Sequence, residues 1–269
     1  METSLFHKKF PVEVILPGFF YEKNNLEFWF LYHKFASLIM VFMKQGRLYR
    51  LFRYLLYKIG VTKGIPASVV NGIPIVECGE PLTDLKELPF LSFFDNLRDR
   101  KEVFARKSVA EKLEKAASML PDSYHLKIHS AYRPRTEQIE LWNRKFNEMK
   151  AEFPSLSEEE IVIKTKRICA DPRFGFGGHQ TGGAVDIALC DDNGNDYEMG
   201  TMISDKGSKI ITRSKEISEE ARRNRTILLT AMTEAGFVNY PKEWWHYCYG
   251  DRMWAAYKNR RSAFYNEVI

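Results

Sequence analysis

The sequence predicts a folded globular protein in which helices and strands follow one another along one chain, and three observations carry that expectation. Of 269 residues, 45% are apolar, 28% charged and 14% aromatic, a composition that excludes disordered and collagen-like chains. Several segments repeat apolar residues at helical spacing behind a capping serine. Others are short and alternating, or aromatic, which suits strands. At this length the chain holds one large domain, or one domain with an extension.

Charge is unevenly placed. The chain carries 40 basic and 35 acidic residues. Residues 1–60 hold nine of the basic ones (Lys8, Lys9, Lys23, Lys34, Lys44, Arg47, Arg50, Arg53, Lys58) against four acidic (Glu2, Glu13, Glu22, Glu27), so the rest balances at 31 of each. A neutral main body argues against a nucleic-acid partner. Cys78, Cys169, Cys190 and Cys248 are widely spaced with no CxxC pair, which excludes a zinc ribbon and predicts reduced thiols.

Residues 26–43 are strongly apolar, but Glu27, His33 and Lys34 leave only 35–43 uncharged, too short to span a bilayer. The basic cluster follows this apolar stretch, the reverse of a secretory signal; a cytoplasmic chain is expected, with membrane attachment an option. Over 44–59, Arg47, Arg50 and Arg53 recur at helical spacing beside an apolar face of Leu48, Leu51, Phe52, Leu55 and Leu56. Two readings fit: an interfacial helix on anionic lipid, making residues 26–59 a peripheral membrane contact, or an amphipathic helix packed on its own domain. Residues 60–72, with Pro66, read as a linker. The organisation expected is a basic helical extension over 1–62 and a neutral domain over 63–269.

Within that domain, 106–120 reads as a helix with a Ser108/Glu111 capping box and a face of Val109, Leu113, Ala116, Ala117 and Leu120, stopped by Pro121. Residues 125–132 alternate Leu126, Ile128 and Ser130 against Lys127, His129 and Ala131, a half-buried strand. Helices are expected over 136–151 and 157–168, the second behind a Ser157/Glu160 box. A glycine-rich loop at 175–178 precedes a strand at 184–190. A helix over 218–235 ends at Gly236, and the aromatic stretch 237–249 reads as strand.

Two segments carry candidate chemistry: His179-Gln-Thr-Gly-Gly-Ala-Val-Asp186 and Glu243-Trp-Trp-His246. They offer two imidazoles and two carboxylates, and a catalytic zinc takes three N or O ligands with its fourth position left to water. One carboxylate is spare. Glycines between His179 and Asp186 let the backbone turn so that both face one point. In a helix Glu243 and His246 share a face; in a strand their odd offset sends them to opposite faces. A strand end or bend leaves Glu243 near the metal's water as a general base. The plainer alternative is a core histidine beside two tryptophans, and His125 and His129, with no acidic partner nearby, read as structural. Neither a G-x-S-x-G elbow nor a phosphate-binding glycine loop is present.

The segments Ser130-Ala-Tyr-Arg-Pro134, Gly177-Gly-His-Gln-Thr-Gly-Gly-Ala-Val-Asp186 and Glu243-Trp-Trp-His246 resemble, in order, those of the zinc D-alanyl-D-alanine dipeptidases of the VanX type. The likeness runs over 73–256 and includes Arg106-Lys-Ser-Val-Ala-Glu-Lys-Leu113, Glu198-Met-Gly-Thr201 and Glu219-Glu-Ala-Arg-Arg-Asn-Arg225. It implies that His179, Asp186 and His246 hold one Zn2+ per chain, that Glu243 is the base and that Arg133 stabilises the transition state. It implies an α+β fold, a mainly antiparallel sheet flanked by helices with zinc in a cleft, here with an N-terminal helical extension. The activity implied is hydrolysis of D-alanyl-D-alanine, a small D-amino-acid peptide, in cell-wall metabolism. Rival readings are a carboxypeptidase trimming longer muropeptides and a zinc-dependent binding module without turnover. Two positions depart from the family: Gly177 stands where serine is usual, and the place of the aspartate that receives the substrate amine falls on Ser204, next to Asp205.

Overall fold

This computed structural model describes residues 46–269 apart from 167 and 176, so the apolar stretch 26–43 lies outside the described residues. Contacts divide the chain into two units, one ending at Thr62 and one beginning at Lys63. In the first, α1 (Arg47–Lys58) is an α-helix with no buried residue. Among the described residues no helix is long and apolar enough to cross a membrane.

The second unit runs α2 (Ala67–Asn71), β1 (Leu82–Asp84), β2 (Leu91–Phe93), α3 (Asp95–Arg98), β3 (Phe104–Arg106), α4 (Lys107–Ala117), β4 (His125–Ser130), α5 (Arg135–Glu152), α6 (Glu158–Thr165), β5 (Ala184–Cys190), α7 (Glu219–Glu234), β6 (Val238–Asn239), β7 (His246–Cys248) and α8 (Arg252–Tyr257). It is an α+β arrangement. The main sheet has the order β2-β4-β5-β7-β6, and β1 pairs β3 in a small separate sheet. Only β2 and β4 run parallel; β4–β5, β5–β7 and β6–β7 are antiparallel. All seven residues of central β5 are buried. Leu126 and Ile128 of β4, Ile187 and Leu189 of β5, Val109 and Leu113 of α4, and Leu228 and Met232 of α7 form one core. Truncating any of these to alanine costs about 2–5 kcal/mol by the usual transfer and cavity terms.

Several local expectations are corrected. Residues 67–71 are one helical turn and not linker: Pro66 sits at its N-cap and Val69 is buried. Pro suits a helix start because the N–H it lacks has no partner there. Helix α4 has no serine cap; the Ser108 amide and hydroxyl instead donate to the two Glu80 carboxylate oxygens, at 2.5 and 2.8 Å. A carboxylate 28 residues away satisfies the helix start, which no local pattern reveals. The Ser157/Glu160 box of α6 is present in full, and Ser218 caps α7.

Strand β4 is buried on both faces only at its middle, where Lys127 joins Leu126 and Ile128 out of solvent, while His125, His129 and Ser130 are half-buried. Lys127 accordingly pairs with Asp196 at 2.5 Å and donates to the Gly194 carbonyl at 2.9 Å. The stretch 237–249 is a hairpin, two short strands about a tight loop. All four cysteines are free, Cys78 exposed and the others buried.

Candidate metal centre

Sheet register explains why distant residues meet. On β5, Asp186 is directly opposite His246 of β7 on one side and Ser130 of β4 on the other. Directly paired antiparallel residues put their side chains on the same sheet face. The pairing passes from Ile128↔Ile187 to Ser130↔Asp186, so β4 carries one extra residue, His129, as a β-bulge. Without that bulge Ser130, and the Tyr132–Arg133 segment it leads, would face away from Asp186.

His179 arrives from a different direction. It sits in a 3-10 turn, Gly178–Thr181, which the chain leaves through Gly182 at φ +71°. At Gly183 a Cβ would lie 2.5 Å from the Tyr249 carbonyl oxygen. Only glycine fits both places, and together they feed the turn straight into β5.

The imidazole of His179 and that of His246 meet edge to face with centroids 5.1 Å apart. Nε2 of His179 is 3.3 Å from Asp186 Oδ2, and Nδ1 of His246 is 2.9 Å from Asp186 Oδ1. All three ligand atoms lie within 4.8 Å of one another on buried residues. Bonds of about 2.1 Å at a tetrahedral angle would place ligand atoms about 3.4 Å apart, close to the 3.3 and 2.9 Å that separate the two imidazoles from the carboxylate.

Hydrogen bonding tests the same point. Nδ1 of His179 is 2.8 Å from the Ala131 carbonyl oxygen; a carbonyl only accepts, so Nδ1 carries the proton and the neutral ring directs a lone pair from Nε2 at Asp186. Burial lowers the His179 pKa, disfavouring a second proton. Two acceptors thus face each other in a buried place, which a cation between them resolves. The donor set fits zinc, and the Ala131 carbonyl orients its ligand in the manner of metal-site histidines. Burial alone would raise the Asp186 pKa, but imidazoles that carry a proton towards it outweigh burial and hold the carboxyl far below the usual range. For His246, burial is outweighed by its hydrogen bond to Asp186, and its pKa rises.

Glu243 occupies neither a helix nor a strand. Its N–H donates to the Tyr240 carbonyl and its own carbonyl accepts from the His246 N–H, closing the turn between β6 and β7. The opposite-faces objection to Glu243-x-x-His246 therefore does not apply. Burial raises the Glu243 pKa, with the charges of His246 and Asp186 also acting on it. Arg133 donates through Nη1 to Gln138 Oε1 at 3.0 Å and through Nη2 to Ser130 Oγ at 2.8 Å. Its backbone N–H reaches the His179 carbonyl.

Residues 92–267 match the family model described as D-ala-D-ala dipeptidase, Peptidase_M15. The chain belongs to this family. A D-alanyl-D-alanine dipeptidase of Synechocystis sp. is 29% identical over 235 residues, covering 76% of this chain and 95% of that relative. The D-alanyl-D-alanine dipeptidase of Escherichia coli K12 is 28% identical over 127 residues, 45% of this chain and 53% of that protein. Among solved structures, VanYB in complex with D-Alanine-D-Alanine is 17% identical with a TM-score of 0.40, over 69% of this chain and 92% of that one. The LdcB LD-carboxypeptidase is 22% identical with a TM-score of 0.39, over 67% and 72%.

In this Peptidase_M15 chain, several supporting residues escape motif reading. Gln138 is buried on α5, accepts from Arg133 and from Gln180 Nε2 at 2.9 Å, and donates to the Ala170 carbonyl at 2.8 Å. Asn239 donates to the carbonyls of Glu243, Trp244 and His246 at 3.1, 3.3 and 3.1 Å. Trp244 is fixed by its indole N–H on Thr201 Oγ1 at 2.9 Å and by the buried Arg225 guanidinium over its ring. Nothing local in the sequence marks Gln138, because its burial on α5 is a property of the folded chain. Of the histidines read as structural, His125 does have an acidic partner, Asp192 at 2.7 Å; His129 stacks edge-on to Phe94.

Proposed function

We propose that this chain is a zinc-dependent peptidase that hydrolyses D-alanyl-D-alanine, using Glu243 as general base and Arg133 as oxyanion partner. The observation that carries the reading is the convergence of His179 Nε2, the Asp186 carboxylate and His246 Nδ1 in a buried cluster, with the Glu243 turn three residues before His246. His179, Asp186 and His246 would hold the ion. When bound, zinc supplies Lewis acidity that polarises a carbonyl and lowers the pKa of water towards about 7.

The chain's own residues do the rest. Glu243, kept basic by burial, accepts a proton from the attacking water and returns it to the departing amine. The Arg133 guanidinium is held in place before substrate arrives, so its N–H groups meet the developing oxyanion without reorganisation. Asn239 fixes the Glu243 turn from behind, and Gln138 fixes Arg133.

A second reading, removal of terminal D-alanine from longer muropeptides, is favoured by the loop that the resemblance assigns to the substrate amine. Ser204 has φ +76°, and the neighbouring Asp205 carboxylate accepts from the Met202 N–H of its own loop at 2.9 Å. The experiment is direct. Zinc-loaded protein is offered free D-alanyl-D-alanine and a muramyl pentapeptide in parallel. Faster turnover of the dipeptide is expected; preference for the pentapeptide selects the second reading. Glu243→Ala should lose at least about a hundredfold in kcat while retaining zinc, and an active Glu243→Ala protein rejects this glutamate as the base.

A further inference from the structure

Helix α1 leaves an apolar stripe exposed. Leu48, Leu51, Phe52, Leu55 and the adjoining Ile59 are 67%, 37%, 44%, 48% and 66% exposed, whereas Arg50, Arg53, Tyr49 and Tyr54 are half-buried. At 3.6 residues per turn the five apolar side chains fall within an arc of about 100°. Arg47 and Lys58, both exposed, flank that arc on one edge. A contiguous apolar stripe left exposed on a helix marks an interaction surface.

Charge selects the occupant. Residues 46–62 contain Arg47, Arg50, Arg53 and Lys58 and no aspartate or glutamate. A second copy docking by the same face would bring the exposed Arg47 and Lys58 against their own counterparts. An anionic bilayer needs no matching groove: it accepts a convex apolar stripe about 18 Å long among its acyl chains while basic side chains reach its headgroups. We propose that α1 binds the surface of anionic lipid bilayers, lying in the interface plane. This rests on α1 alone and is independent of the hydrolysis proposed for residues 63–269.

The test is co-sedimentation of the full-length protein with vesicles of phosphatidylcholine alone and of phosphatidylcholine mixed with phosphatidylglycerol. Binding to the mixed vesicles only, weakened by salt, is expected. Leu51→Asp combined with Leu55→Asp should lower the bound-to-free ratio at least about tenfold, and Arg47→Glu combined with Lys58→Glu about tenfold. Unchanged melting of residues 63–269 in both variants shows that the fold survives. Failure of the wild type to bind mixed vesicles, equal binding to phosphatidylcholine, or wild-type binding by the leucine variant each overturns the proposal. Self-association that the leucine variant abolishes, without vesicle binding, rejects lipid in favour of a second copy.

Discussion

Glu243 and Arg133 are the two residues whose environment does most to define their chemistry. A base acts only in its ionised form, and burial raises the Glu243 pKa, so its ionised fraction is lost on acidification sooner than for an exposed carboxylate. A bound dication acts with the opposite sign. In metal-free protein the Glu243 carboxyl should therefore titrate above the ordinary carboxylate range, and added zinc should move its midpoint down, as read by carbon NMR of labelled glutamate. A midpoint that zinc leaves unmoved places Glu243 away from the ion. Arg133 spans Gln138 and Ser130 with two different nitrogens, which a planar fork does and a point-charge ammonium does not. Arg133→Lys should lower kcat by about 10²–10³-fold with zinc content unchanged. Retained kcat argues that positive charge alone is enough.

At the scale of elements, what the sequence discloses is what is local. Strand β5 coincides with the stretch expected after the glycine-rich loop, and α6 and α7 begin at the serines that cap them, because those signals lie within a turn of where they act. The Ser108 start escapes a local pattern because its partner is Glu80, and 67–71 does so because a single proline admits both linker and helix start. The site follows the same division. His179, Asp186, Glu243 and His246 stand in compact motifs, whereas Asn239 and Gln138 act through packing that only the folded chain creates. Asn239 holds the motif's backbone: its one amide group serves three carbonyls of the loop that carries Glu243 and His246. Asn239→Ala leaves buried carbonyls without donors, and should cost about 1–3 kcal/mol in urea unfolding and weaken zinc affinity about 10–100-fold. A loss of stability with zinc affinity intact reduces Asn239 to a structural role.

Taken whole, the unit from Lys63 to Ile269 hangs its proposed ligands on elements far apart in the chain: a turn before β5, the heart of β5 and the start of β7. Binding an ion there ties strand pairing to the His179 turn, and the unfolded chain has no such site. Anything bound only by the folded state stabilises it, by about 2.7 kcal/mol at a free concentration a hundredfold above the dissociation constant. For a domain of this size each kcal/mol moves Tm by about 2–4 °C, so stripping metal with a chelator should lower Tm by roughly 5–10 °C, and restoring zinc should recover it. His179→Ala breaks the ligand set and should remove the chelator's effect. Calorimetry on both proteins, with and without chelator, decides the matter: equal melting of wild type in the two conditions would sever the buried cluster from any metal.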